Sequence, residues 1–90
     1  MSLAWQIEFT PRAKKHLNKI DRKDAVRIVK KLESIAQSNQ PRAIGKALKS
    51  EKFQNLWRYR VGDYRILCQI EDGQHLILAV ALGHRKNIYP

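Results

Sequence analysis

The chain has 90 residues, of which 43% are hydrophobic, and its 18 lysines and arginines against 8 aspartates and glutamates give a formal net charge of +10. This length suits one domain with a single modest core, so we expect one domain over residues 1–90. The excess of positive charge opposes folding through self-repulsion, and it therefore predicts a polyanionic partner, with nucleic acid as the first choice. The longest apolar run, residues 76–82, is far too short to cross a membrane, and no signal peptide is evident. We expect a soluble protein of the cytoplasm that uses no membrane partner.

The N-terminal part of the chain predicts one strand followed by two helices. Residues 4–9 alternate apolar and polar side chains, which is the period of a half-buried strand. Thr10 then offers a hydroxyl N-cap, and Pro11 suits the first helical position. Asp21 interrupts the first helix, and a second helix with one apolar stripe runs to about Gln37, where the sequence SNQP ends it. These two helices predict a helical hairpin.

The C-terminal part predicts an antiparallel meander. Residues 38–52 are basic and lack periodicity, so we expect a surface loop there. Three strand-like runs follow, near residues 53–61, 64–70 and 75–83, joined by the turn dipeptides GD and DG. The last run is apolar on both faces and should be a central strand, beside which the first strand can pair. The predicted fold class is α+β in the order β-α-α-β-β-β, with both N-terminal helices packed on one face of a mainly antiparallel sheet of about four strands.

The stretch WRYRVGDYR, residues 57–65, concentrates three arginines around a Gly-Asp turn. Because side chains alternate along a strand, Arg58 and Arg60 point to one face, and a two-residue turn sets Arg60 directly opposite Arg65. Like charges paired across a ladder are destabilising, by roughly 0.2–1 kcal/mol. A guanidinium group can donate two parallel hydrogen bonds to a phosphate, so the cluster predicts a site for a phosphate backbone. A solvated outer face that keeps the sheet soluble is the alternative interpretation.

His84 follows the last predicted strand and has two interpretations. Strict alternation puts it on the arginine face and would bury Arg85 against the helices, so we expect the strand to end or bulge near Gly83 and to free both side chains. His84 is then either a surface histidine or a group that transfers a proton. The spacing of the three histidines gives no metal-ligand motif, and the single cysteine, Cys68, fits a strand as a small core residue.

Four segments carry a family resemblance: EFTPRAKKHLNKID, GKALKS, LWRYRVGDYRILCQIED and LILAVALGHRKNIY, in that order. Through them nearly the whole chain resembles the RelE/ParE superfamily of bacterial and archaeal toxins, and specifically its RelE-like mRNA interferase branch. The resemblance implies a compact sheet with two N-terminal helices and a cognate antitoxin that wraps and neutralises the toxin. It also implies an endoribonuclease that cleaves mRNA in the ribosomal A site by attack of the ribose 2′-OH on the adjacent phosphorus, with no metal and no cofactor.

The same resemblance assigns roles to individual residues. Arg65 in GDYR and Arg85 in GHR match arginines that stabilise the phosphate, and Tyr89 matches a terminal tyrosine that stacks on the substrate base. The expected catalytic residues are Arg60, Arg65, His84, Arg85 and Tyr89, and the expected RNA-phosphate-binding residues are Arg58, Lys46, Lys49 and Lys86.

One departure from the family pattern concerns the general base. Arg58 and Arg60 stand where the best-known member type has lysines, one of which is proposed as the base. Because arginine stays protonated, the base is then His84 or a group of the ribosome.

Two other functions remain open at this point. The ParE-type interpretation is a binding protein that inhibits DNA gyrase, in which the surface arginines need no catalytic geometry. A basic nucleic-acid-binding domain without toxicity is the third possibility, and it rests on charge alone.

Overall fold

The computed structural model of the chain describes residues 5–38, 40–48 and 56–84. Its elements are β1 (Gln6–Phe9), α1 (Pro11–Lys19), α2 (Arg22–Ser38), α3 (Pro41–Ile44), β2 (Lys46–Ala47), β3 (Leu56–Val61), β4 (Tyr64–Glu71), a 3-10 turn (Asp72–Gln74) and β5 (Leu76–His84). None of the helices in these ranges is long and apolar enough to cross a membrane.

The strands form one five-stranded sheet in the order β1-β5-β4-β3-β2. β1 runs parallel to β5, and every other neighbouring pair is antiparallel. The predicted α+β class is confirmed, with one strand more than the expected number because β2 forms a short edge strand. β5 lies between β1 and β4, as its apolar residues on both faces indicated, since such a strand has no polar face to offer to water.

The two long helices cover one face of the sheet and build the main core with it. α1 contributes the buried Ala13, and α2 contributes three fully buried aliphatic side chains that continue its apolar stripe. Burying one such aliphatic side chain is worth about 1.5–3 kcal/mol, so this stripe holds the helical hairpin on the sheet. The core residues of the strands include Tyr59, Ile66, Cys68, Ile70, Ile77, Ala79 and Leu82. Cys68 is therefore a core residue, as predicted, and burial raises the pKa of its thiol to about 12.

Thr10 fixes the start of α1 against β5. Its hydroxyl oxygen accepts a hydrogen bond from the backbone N–H of Ala13 at 3.1 Å, which confirms the predicted N-cap. The same hydroxyl donates to the carbonyl oxygen of Val80 at 3.1 Å. The Thr10 hydroxyl thus forms hydrogen bonds with the first turn of α1 and with the backbone of β5. Losing an N-cap of this kind costs about 1 kcal/mol.

The hairpin between β3 and β4 has the predicted register. Gly62 adopts a positive φ of 57°, which suits the first position of a tight two-residue turn. Val61 pairs with Tyr64, and Arg60 pairs with Arg65.

Two connections differ from the sequence-based expectation. The region expected to be a surface loop, residues 38–52, contains α3 and β2, which are only four and two residues long and therefore show no periodicity. The DG dipeptide does not form a tight hairpin turn: its residues belong to the 3-10 turn, and His75 closes the connection with a left-handed backbone, φ 49°. The His75 ring stacks on Trp5 at 4.9 Å between ring centroids, a tertiary contact that the dipeptide does not reveal.

A β-bulge interrupts the pairing of β4 with β5. Leu67 pairs with Ala81, whereas the next residue, Cys68, pairs with Ala79, so Val80 is the extra residue. Of the two predicted possibilities, an end or a bulge near Gly83, the structure shows a bulge at Val80, and β5 continues to His84. One extra residue reverses the alternation of side chains. The residues of β5 after Val80 therefore lie on the face opposite to the one that strict alternation along the strand predicts.

Candidate functional site

Three arginines lie together on the face of the sheet opposite the helices, and we call this surface the arginine face. Arg60 is paired directly with Arg65, and Arg58, on the same face of β3, is paired with Leu67. Arg60 is exposed, whereas Arg58 and Arg65 are half-buried. Gly83 is the β5 partner of Arg65, so the neighbouring strand adds no side chain at that position. The register predicted from the hairpin is confirmed, and it brings the three guanidinium groups to one surface.

A cleft of about 240 Å³ opens where β3 extends beyond the short β2. Lys46 pairs with Arg58 across the β2–β3 ladder, so this predicted phosphate-binding lysine lies beside the arginines. The described residues that line the cleft are Lys31, Ile44, Lys46, Arg58, Tyr59 and Arg60. Lys31 comes from α2, and its position does not predict a site residue, because the sequence around it is typical of the solvated side of an amphipathic helix. Only the docking of α2 over β3 brings it to the cleft.

Tyr59 and Gly45 hold the cleft's wall in place. The Tyr59 hydroxyl donates a hydrogen bond to the carbonyl oxygen of Pro41 at 2.7 Å, and the side chain is buried. Burial raises the pKa of Tyr59, so its hydroxyl keeps its proton and remains a donor. A Cβ atom at Gly45 would lie 2.8 Å from the Tyr59 ring and 3.0 Å from the backbone oxygen of Arg58. The absent side chain at Gly45 thus lets the chain pass close to β3 and places Lys46 on its ladder.

The arginine face also carries an apolar area next to the cations. Leu67 and Ala81 are buried there, and the partly buried Leu48, Leu56 and Val80 pack against them. A nucleotide has a charged phosphate and a base with apolar faces, so a surface with guanidinium groups beside aliphatic side chains can contact both parts. The arrangement is suited to binding phosphate and to stabilising negative charge on it, whereas guanidinium groups are too basic to accept a proton.

His84 does not lie on the arginine face, where strict alternation would put it. Because of the bulge at Val80, His84 pairs with Tyr64, whose side chain belongs to the helix face. The two rings meet edge to face, with centroids 5.9 Å apart. Desolvation, followed by the neighbouring carboxylate of Asp24, raises the pKa of Tyr64, so this hydroxyl is also a proton-bearing group. His84 lines a different cleft, on the side of α1.

Four residues of the predicted site fall outside the described part of the chain: Lys49, Arg85, Lys86 and Tyr89. Their predicted roles in RNA binding, phosphate stabilisation and base stacking remain predictions. Among residues 5–38, 40–48 and 56–84, no group of three or more His, Cys, Asp or Glu side chains is arranged to hold a metal ion.

Solved structures share this fold over most of the chain. The toxin–antitoxin complex RelBE2 from Mycobacterium tuberculosis matches with a TM-score of 0.82 and 24% identity, covering 92% of this chain and 100% of that one. The RelB–RelE antitoxin–toxin complex from Methanococcus jannaschii matches with a TM-score of 0.66 and 25% identity, covering 88% and 91%. The intact RelBE toxin–antitoxin complex from E. coli gives 0.71 and 20% identity, covering 90% and 96%.

Sequence comparison assigns the family. A search of the curated proteins gives no match. A family model described as the ParE toxin of the type II toxin–antitoxin system parDE matches residues 7–89. This match spans both helices, the arginine hairpin and the last strand. The chain therefore belongs to the ParE toxin family, within the RelE/ParE superfamily of type II toxins.

Proposed function

We propose that this toxin is a metal-independent endoribonuclease that cleaves mRNA in the ribosomal A site. The observation that carries the proposal is the arginine face, where Arg58, Arg60 and Arg65 share one surface with Lys46. A guanidinium group can donate two parallel hydrogen bonds to one phosphate, so three arginines on one surface favour a phosphate ligand.

The chemistry expected at this face is an internal displacement at phosphorus. The O2′–P bond forms, the P–O5′ bond breaks, and the products are a 2′,3′-cyclic phosphate and a free 5′-OH. Arg60 and Arg65 stabilise the charge that develops on the phosphorane oxygens, while Arg58 and Lys46 hold the adjacent backbone. One proton leaves the 2′-OH and one reaches the departing O5′.

The position of His84 argues against His84 as the general base at the arginine face. Its side chain shares the helix face with Tyr64, so it does not converge with Arg60 and Arg65 on one phosphate from the same surface. Arginine cannot serve as the base at physiological pH. We therefore expect the ribosome to supply the group that accepts the 2′-OH proton, which makes the isolated protein inactive on free RNA.

The antitoxin and the place of action belong to the same proposal. The matched structures from M. tuberculosis, M. jannaschii and E. coli are toxin–antitoxin complexes, and a chain with a net charge of +10 suits an acidic partner. We expect a cognate acidic antitoxin to bind the toxin, which acts on ribosomes in the cytoplasm.

Inhibition of DNA gyrase is the second candidate, and the ParE description of the matching family favours it. A gyrase inhibitor must bind a protein partner and has no need of a phosphate held in cleavage geometry. The two functions therefore differ in what happens to mRNA when growth stops.

The deciding experiment is primer extension on a reporter mRNA after brief induction in cells. Cuts within translated codons that disappear in Arg60→Ala and Arg65→Ala support the proposal. Arg22→Ala is the matched control, because it removes one exposed arginine at the start of α2. Intact mRNA in arrested cells would move the assignment to gyrase, which supercoiling of a reporter plasmid then tests directly.

A further inference from the structure

A second cationic cleft lies on the helix side of the sheet, between α1 and the end of β5. Its volume is about 440 Å³. Within the described ranges, its lining consists of Arg12, His16, Lys19, Ile20, Leu82, Gly83 and His84 and includes no carboxylate. The arginine face cannot share a ligand phosphate with this cleft, because the sheet lies between them.

The basic residues of this cleft line up along α1. Arg12, His16 and Lys19 follow one another at spacings of four and three residues, so they lie on the same side of the helix. Arg12 and Lys19 are exposed, and His16 is half-buried between them. β5 supplies His84 from the other side of the cleft. Repulsion between the cations of such a row is relieved by an anion bound among them.

The ring of His16 is fixed by the backbone of β5. β1 ends where Phe9 pairs with Ala79, so β5 has an open edge beyond that point. The backbone N–H of Leu82 lies on this edge and donates to Nδ1 of His16 at 3.1 Å. Since Nδ1 accepts a hydrogen bond, the proton of the neutral ring must be on Nε2. His16 therefore presents Nε2–H as a donor of fixed orientation, like a backbone N–H.

We propose that this cleft, which we call the α1–β5 cleft, is a second phosphate-binding site. Arg12 and Lys19 provide charge and hydrogen bonds, His84 provides a further hydrogen bond, and His16 provides a fixed Nε2–H donor. The choice of RNA backbone as the source of the phosphate rests on the proposed function. Phosphate sites on both faces of the sheet allow the protein to contact two RNA segments at once, one at the arginine face and one behind α1. The second contact positions the toxin and takes no part in the chemistry.

The first test uses inorganic phosphate on the intact protein, followed by NMR of the histidine ring nitrogens. The expected result is a saturable shift of the His16 and His84 signals that disappears in Arg12→Gln and persists in Arg60→Gln. A shift lost equally in both variants, or no shift at all, would overturn the site. This test does not depend on nuclease activity, so its failure is distinct from failure of the proposed function.

The second test identifies RNA as the source, using a short RNA hairpin at several salt concentrations. The double variant Arg12→Gln, Lys19→Gln should lower the slope of log K against log salt by about 1.4–1.8, since each phosphate contact contributes roughly 0.7–0.9. The control Lys14→Gln, Lys15→Gln removes the same charge from exposed positions of α1 outside the cleft. Equal slopes for the two double variants would show that only the net charge matters and would refute the RNA contact.

Discussion

Replacing Gly45 by alanine tests how the chain is held against the arginine face. The backbone of Gly45 has φ −92° and ψ −178°, an extended conformation that alanine adopts freely, so any cost comes from contact rather than strain. The added Cβ would meet the Tyr59 ring at 2.8 Å and the Arg58 backbone oxygen at 3.0 Å. The ring cannot swing away without breaking its 2.7 Å hydrogen bond to Pro41.

The expected loss of stability follows from these distances. Overpacking a well-filled site costs about 1–3 kcal/mol, and for a domain of this size each kcal/mol lowers Tm by about 4–8 °C. Thermal unfolding followed by circular dichroism measures the change. Growth arrest should weaken as well, because Gly45 precedes Lys46 and fixes the ladder that carries it to Arg58.

Gly73→Ala is the matched control. A Cβ atom at Gly73 would have no neighbour within 4 Å, so its Tm should change by no more than a few degrees. The double variant Gly45→Ala, Tyr59→Phe provides a further check, because without the hydroxyl the ring is free to shift. Gly45→Ala should therefore lower Tm less when it is added to Tyr59→Phe than when it is added to the parent protein. Equal Tm values for Gly45→Ala and the control would refute this account of how α3 and β2 pack on β3.

Three further changes have defined outcomes. Arg60→Gln should raise the free energy of unfolding by about 0.2–1 kcal/mol, because it removes the like charge opposite Arg65; urea denaturation measures this, and a loss of stability would contradict it. Burial, and then the cations of α1, lower the pKa of His16 below its ordinary value of 6.5. As the pH falls, the unfolded chain therefore binds a proton at this histidine before the folded protein does. The free energy that His16 contributes to stability is complete above pH 6.5 and falls as the pH drops below it. Urea titrations at pH 7.5 and 5.5 should show that fall in the parent and a smaller one in His16→Asn, whose amide oxygen can still accept from Leu82; equal falls would refute the assignment. Cys68, whose thiol pKa burial raises to about 12, should react with iodoacetamide at pH 8 only after unfolding, and rapid labelling of the native protein would disprove its burial.

The local sequence was sufficient for the elements whose signals are themselves local. Thr10 and Pro11 predicted the start of α1, because an N-cap depends on a hydroxyl and the next few backbone groups. The Gly62 turn predicted the β3–β4 register, since a two-residue turn fixes every later pair of the hairpin, including Arg60 with Arg65. The arginine face therefore follows from the hairpin sequence alone.

The positions of His84, Lys31 and His16 in the two cationic sites depend on tertiary structure. The bulge at Val80 depends on how many residues β4 sets against β5, a property of two strands, and it moved His84 to the helix face. Lys31 lines the cleft beside β2 and β3 only because α2 packs over β3. His16 became an orientated donor because β1 ends before β5 does, leaving the Leu82 N–H in need of an acceptor that α1 provides. The alternation of side chains and the capping of a helix depend only on residues within one segment, so the sequence predicts them. The neighbours of a side chain across the sheet depend on where other elements begin, bulge and end, so only the tertiary structure determines them.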